Sequence, residues 1–372
     1  MMRIKNMKQL YLDGLFYKSS GIGRYYESLT KEFAKRGIKI YTCIPKKLRD
    51  DFEKDFREVT GNIEPIFVDY ERFSLNSIFK QSNILKQLED KVDLFFYPHI
   101  NLPLYVPRKT IVTVHDLIPF TQYWDRDEFK RKVFKIFLRR ALACSVKTVV
   151  ISQTVANELK TLDKRIENKA VVIYEFVDDR FVNSKLVIKR LLDQPYALFV
   201  GNRKRHKNIG LLIKAFNKIK DQIPHYLVIA GAKDNEVDEV DKLKKELNIE
   251  WRIIEFIRPD DETLTNLYSY ADLFIFPSLF EGFGLPPLEA VNLNCPVILS
   301  DIPILREIFD NTGLYFNPND ENDLAKAILK VLSNNDLRTE LLKQQKERVK
   351  LFDKEAIVNR YLRLFEEIIK ER

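Results

Sequence analysis

The sequence predicts an α/β protein made of two doubly wound, parallel-sheet domains. Three observations carry this. Short apolar runs alternate with amphipathic segments in the first half, lapse over 175–194, and resume at Tyr196. In both halves a glycine-bearing loop leaves a strand and feeds a helix start. At 372 residues the chain is long enough for two separate cores.

In the first half, Gln9 to Leu12 reads as a short strand left through Asp13-Gly14. Ser19-Ser20-Gly21-Ile22-Gly23-Arg24 reads as a glycine turn before a helix that runs to about Arg36. Tyr25, Leu29 and Phe33 form its apolar face, and Gly37 stops it. Further strands are expected over 38–44, 92–97, 110–115, 147–151 and 170–174. Ser152 caps a helix to about Lys160. Gly21-x-Gly23 is not a dinucleotide site. Tyr26 stands at the third glycine position, and no acidic residue ends the second strand. His115-Asp116 follows an apolar strand, where crevices open in such sheets. Asp125-Arg126-Asp127 precedes a helix over 129–144, so it reads as helix capping rather than a metal pair. That helix carries Lys130, Arg131, Lys132, Lys135, Arg139 and Arg140 among Phe129, Val133, Phe137 and Leu138. It fits either a membrane surface or a core face with a solvated basic side.

In the second half, the strand 196–200 runs into Gly201-Asn202-Arg203-Lys204-Arg205-His206-Lys207-Asn208 and then a helix from Ile209. A basic loop opened by glycine at a helix start suits an anion. Strands follow over 226–230 and 252–257, and Asp260 opens a helix to Tyr270. The stretch 273–301 is the densest in signals. Leu273 to Phe276 is a buried strand, and Glu281-Gly282-Phe283-Gly284 is a turn that lets a ligand reach the backbone. Pro286 and Pro287 open a helix that would hold Glu289 in its first turn, and Val297 to Leu299 is the next strand. Carboxylates beside a phosphate site would repel it, so Glu281 and Glu289 suit sugar hydroxyls. The last helix, over 354–370, repeats Ile357, Tyr361, Leu364 and Ile368 at helical spacing.

EGFGLPPLEA, at 281–290, resembles the E-x7-E motif of family 4 retaining glycosyltransferases of the GT-B fold. The resemblance extends over about 9–350, through GIGRY at 21–25, VHDL at 114–117 and the loop 201–208. It implies two Rossmann-like domains facing a central cleft, over 1–185 and 190–352, with a helix over 353–372 crossing back to the first. It also implies transfer of a hexose, with configuration retained, from a nucleoside-diphosphate sugar to a glycan or lipid-linked glycan. GDP-mannose is the preferred donor. By the same match, His115, Glu281, Lys207 and Arg203 form the catalytic set. The donor would meet Gly21, Gly23, Gly201, Asn202, Lys207, Asn208, Arg258, Gly282, Phe283, Gly284, Leu285 and Glu289. The chain departs from the family at Glu175-Phe176, where Asn-Gly is usual, at His206, where arginine is usual, and near Ile257, where glycine is usual. A nucleotide-sugar epimerase, a phosphorylase and a non-catalytic nucleotide-sugar binder remain as other readings.

Composition narrows the setting. Cys43, Cys144 and Cys295 are isolated, and the four histidines form no ligand spacing, so no metal and no cofactor are expected. No apolar run suits a membrane span, and the opening stretch lacks the apolar region of a signal peptide. A cytoplasmic protein follows, with peripheral contact at the inner face of the membrane as an open expectation. Residues 1–190 hold 36 Lys+Arg against 24 Asp+Glu, a balance of +12, which leaves −4 of the total +8 for the rest. The first half thus faces something anionic: a bilayer or a diphosphate-bearing acceptor. No aromatic-interleaved motif or zinc spacing supports nucleic acid.

Overall fold

The computed structural model describes residues 7–124, 128–182, 189–233 and 237–371. The chain forms two compact units, 1–175 with 354–372, and 176–353. It passes between them at Glu175-Phe176 and returns at Asp353-Lys354.

In the first unit the order is β1 (Gln9–Leu12), α1 (Ser20–Lys35), β2 (Lys39–Pro45), α2 (Arg49–Asp55), β3 (Ile63–Val68) and α3 (Leu75–Leu88). It continues through β4 (Leu94–Tyr97), β5 (Thr110–Val114), α4 (Glu128–Cys144), β6 (Lys147–Val150), α5 (Gln153–Leu162) and β7 (Ala170–Val172). Among the described residues these strands make one seven-stranded sheet in the order β3-β2-β1-β4-β5-β6-β7. Every pairing is parallel. The order reverses between β1 and β4. Crevices open at the C-terminal ends of strands beside such a reversal. β4 and β5 are buried at every position, as expected for strands covered on both faces.

The second unit holds β8 (Tyr196–Val200), α6 (Ile209–Ile219), β9 (Tyr226–Gly231), α7 (Glu239–Glu246), β10 (Ile253–Ile257) and α8 (Asp261–Tyr270). Then come β11 (Leu273–Phe276), α9 (Leu285–Asn292), β12 (Val297–Ser300), α10 (Pro303–Phe309), β13 (Leu314–Phe316), α11 (Glu321–Leu332) and α12 (Asn335–Val349). Its parallel sheet has the order β10-β9-β8-β11-β12-β13, reversing between β8 and β11. Ile209, Leu212, Ile213, Phe216 and Ile219 of α6 recur at helical spacing, and all are buried. Each contributes roughly 1.5–3 kcal/mol of hydrophobic stabilisation.

The last helix, α13 (Lys354–Lys370), belongs to the first unit. Its Tyr361 and Phe365 rings pack on Phe33 of α1 at 6.0 and 5.4 Å and on Phe96 of β4 at 5.9 and 5.7 Å. Arg360 adds a hydrogen bond of 2.6 Å to the Val172 carbonyl.

Two local expectations need correction. Helix α1 begins at Ser20, so Gly21 and Gly23 lie in its first turn and not in a preceding loop. A Cβ at Gly23 would sit 2.6 Å from the Phe16 carbonyl oxygen, so the helix start packs too closely on the β1–α1 loop for any larger residue. Helix α9 begins at Leu285, which makes Glu289 its fifth residue, outside the first turn. Gly284, at φ +110, caps it, a conformation that suits glycine.

Candidate active site

The two loops that flank the reversal in the second sheet are stitched together. After β8, Gly201 donates its N–H to the Ala230 carbonyl at 2.9 Å. The chain makes a short turn at Arg205–Lys207, and Asn208 adopts φ 55. From there the Asn208 amide donates to the carbonyls of Pro277, at 3.1 Å, and Pro318, at 2.9 Å. The Leu279 N–H donates to the His206 carbonyl at 2.7 Å, so the basic loop and the loop after β11 share a backbone hydrogen bond. Across this join, Lys207 Nζ lies 2.6 Å from Glu281 Oε1, each side chain 12% exposed. The same ammonium stands 5.4 Å from the Phe276 ring centre.

The cation and the carboxylate thus already satisfy each other. A diphosphate drawn to Lys207 would release Glu281, and that carboxylate could then accept hydrogen bonds from hydroxyls. The N–H groups of the α9 start follow Glu281 directly. With the helix dipole they provide a further anion-stabilising end.

Other expected residues are placed differently. The Arg203 side chain is 4% exposed, its guanidinium 3.0 Å from Asp238 at the start of α7 and in contact with Glu255 of β10. Glu255 also pairs with Lys244. In this arrangement Arg203 ties three segments together, and its contacts are carboxylates. Asn202 Oδ1 accepts from the Lys204 N–H at 3.4 Å. Arg258 is exposed, at φ 50, and its N–H donates to the Gly231 carbonyl at 3.0 Å. Phe283 is buried with its ring edge-on to Phe352 at 5.6 Å, so it anchors the loop. Gly282 and Gly284 are buried beside it, and Leu285 is half-buried. Glu289 is 4% exposed, and its Oε2 accepts from the Tyr268 hydroxyl at 3.1 Å.

In the first unit, His115 follows β5 directly. Its Nδ1 lies 3.2 Å from Glu175 Oε1 and its Nε2 lies 2.9 Å from the Pro98 carbonyl oxygen. Gly21 has nothing within 4 Å of where a Cβ would stand, so its face is open. Asp125 and Asp127 lie outside the described residues. Among the described residues no group of three or more His, Cys, Asp or Glu side chains could hold a metal ion.

In the sequence, Asp13 marks only a strand exit and Glu175 only a departure from the family; neither is given a site role. Asp13 Oδ1 accepts from the Leu15 N–H at 3.1 Å and from His99 Nε2 at 2.8 Å, and its Oδ2 accepts from Tyr11 and Gln81. This buried carboxylate fixes the exit of β1 above α1. Its position just after an apolar strand is the one sequence signal it left.

Glu158 on α5 is a titration probe that feels the Asp116 charge. Burial first, and then the Asp116 charge, push its carboxyl from 4.5 up to about 7. The folded state therefore keeps a proton that the unfolded chain has lost. Stability falls as pH rises through that window, and the penalty is complete above about pH 7. Glu158→Gln should unfold with the parent at about pH 4 and be more stable at about pH 8. After allowance for its partial exposure, the gain is on the order of 1 kcal/mol. Urea unfolding at both pH values reads this, and equal stability at the higher pH refutes it.

Comparison with known proteins bears on what such a site does. Residues 19–181 match the family described as Glycosyltransferase Family 4, and residues 184–348 match Glycosyl transferases group 1. The chain is 32% identical over 231 residues to the O-antigen chain mannosyltransferase RfbU of Salmonella typhimurium, a match that spans 62% of each chain. It is 27% identical over 274 residues to the O-antigen chain mannosyltransferase B of Escherichia coli, spanning 68% of each. The fold of sucrose-phosphate synthase from Thermosynechococcus elongatus superposes with a TM-score of 0.77 at 22% identity, covering 98% of this chain and 100% of that one.

Proposed function

Because the chain belongs to the group 1, family 4 glycosyltransferases and has their GT-B fold, we propose that it transfers a hexose, with retention, from a nucleoside-diphosphate sugar. The acceptor in this reading is a glycan or lipid-linked glycan of a cell-surface polysaccharide. Mannosyltransferases among its relatives favour mannose, and the motif resemblance favours GDP as its carrier. The observation that carries the reading is the Lys207–Glu281 pair at the reversal of the second sheet.

In this mechanism the glycosidic C–O bond breaks and negative charge builds on the departing diphosphate. Lys207 and the N–H groups over 282–285 stabilise that charge. Glu281, freed from Lys207, orients the sugar hydroxyls. Glu289, whose Oε2 accepts from Tyr268, is assigned to the ribose. The acceptor hydroxyl attacks the face the diphosphate leaves, and its proton passes to the departing phosphate oxygen. Arg203 would have to leave Asp238 and Glu255 to join Lys207, so we assign it to shaping the loop.

Incubation with GDP-mannose and a lipid-linked or soluble glycan should extend the glycan and release GDP. Transfer of hexose to free phosphate, an epimerised nucleotide sugar, or donor binding with no turnover would point to the other readings. With Lys207 and a helix start supplying the positive end, activity is expected to survive excess EDTA. Loss of activity that manganese restores would return Asp125 and Asp127 to consideration.

We also propose peripheral attachment to anionic bilayers through α4. Phe129 is 73% and Ile136 65% exposed, and Lys132, Lys135 and Arg139 are exposed beside them. Phe137, by contrast, turns inward onto Phe73, with ring centres 5.7 Å apart. Each basic residue near the lipid contributes on the order of 1 kcal/mol. The chain should sediment with anionic vesicles at low salt and be released at high salt. Equal sedimentation with neutral vesicles would leave the basic half to serve a soluble anion.

A further inference from the structure

His115 meets an oxygen on each of its two ring nitrogens. Nε2 faces the Pro98 carbonyl at 2.9 Å, and a carbonyl only accepts, so Nε2 bears a hydrogen. Nδ1 faces Glu175 Oε1 at 3.2 Å, and an ionised carboxylate also only accepts. A neutral imidazole has one N–H and would turn a lone pair toward one of these oxygens. Little water can intervene, because the two side chains are 12% and 10% exposed. A charge-assisted pair is the stronger arrangement in such a setting.

The ring plane is fixed from a third side. Tyr25 of α1 meets the imidazole edge-on, with ring centres 4.8 Å apart. The Tyr25 hydroxyl is itself held by Thr113, at 3.1 Å, and by Tyr361 of α13, at 2.5 Å. Besides Glu175, charged or titratable groups here include Tyr25, Tyr361 with Arg360 near it, and Asp116, the next residue in the chain. Burial chiefly, with a further contribution from the Glu175 charge, holds the Tyr25 hydroxyl well above the usual phenol range.

We propose that Glu175 is a positioning residue for His115, holding its imidazole as a two-donor cation in a fixed plane at the C-terminal edge of the first sheet. With both ring nitrogens donating, His115 does not take the proton of the acceptor hydroxyl. It presents a fixed charge at the end of β5, balanced by Glu175. This rests on the transferase reading only where it concerns turnover.

The test has two readouts. The first is the long-range ¹⁵N–¹H spectrum of the full chain labelled at histidine, near neutral pH. With four histidines, the His115→Gln spectrum identifies the His115 signal by its loss. Both ring nitrogens of His115 should be of the protonated type in the parent, and one should lose its proton in Glu175→Gln. A singly protonated His115 in the parent overturns the proposal and needs no variant that might misfold. The second readout is hexose transfer. Glu175→Gln should lower kcat about tenfold with the donor KM little changed, the scale for losing a group that orients a site residue. Glu175→Asp, which keeps the charge on a shorter side chain, should recover part of that loss. Unchanged kcat in both variants overturns the positioning role. If the parent transfers no hexose, the function proposed above fails, while the ¹⁵N spectrum still decides the state of His115.

Discussion

Replacing Lys207 with alanine should lower turnover roughly 10²–10³-fold at saturating donor, the scale for losing one preorganised charge contact at a developing anion. The reason is geometric. Lys207 is the cation placed at the join of the two site loops, 2.6 Å from Glu281. Without it, Glu281 would stand as an unpaired carboxylate where a diphosphate is to bind, adding repulsion to the lost attraction. Glu281→Gln separates the two roles. It leaves Lys207 free, so the free nucleoside diphosphate should bind as well as before or better, while hexose transfer falls. Titration calorimetry with the diphosphate and initial rates of transfer measure both. Near-normal turnover in Lys207→Ala would remove this side chain from the diphosphate site. Weaker diphosphate binding in Glu281→Gln would mean that the ion pair does not compete with the ligand.

The largest stability effect is expected at Gly231. It closes β9 at φ +146, and a Cβ there would lie 1.9 Å from the carbonyl oxygen and 2.6 Å from the carbonyl carbon of Gly201. Both are backbone atoms, so no side chain can rotate away. Gly231→Ala must strain its own backbone or push the 201–208 loop off β9. The expected cost is about 3 kcal/mol or more, a fall of roughly 6–12 °C in the melting temperature of the second unit. Gly21→Ala is the control, because nothing lies within 4 Å of its added carbon. Thermal melts of the two variants read the contrast. A Gly231→Ala protein that melts with the parent would contradict the close approach of the two loops.

Much of this architecture was legible in the chain. The β11–α9–β12 unit could be read because a buried apolar run, a Gly-x-Gly turn and a proline pair each restrict the backbone locally. Ser152 and Asp260 were readable as helix caps for the same reason. Their oxygens accept from the Val155 and Thr263 N–H groups at 3.1 and 2.8 Å. Weak local signals were missed. β3 carries Pro65 and only intermittent burial, as a sheet-edge strand can. α2 and α7 are short and dominated by charge, with few apolar positions to show a period.

The site divides along the same line. By itself, the sequence determined the alternation of strands and helices, the glycine loops at strand ends, and the motifs that resemble those of the glycosyltransferases. Each of these depends on residues within a turn or two of one another. Only the tertiary structure decided the partners. It set Lys207 on Glu281, 74 residues on, and His115 on Glu175, 60 residues on. It also buried the Arg203 side chain between Asp238 and Glu255, 35 and 52 residues away. A charged side chain meets whichever opposite charge the packed sheet brings within reach. That choice depends on strand order and loop closure, which no local pattern in the chain encodes.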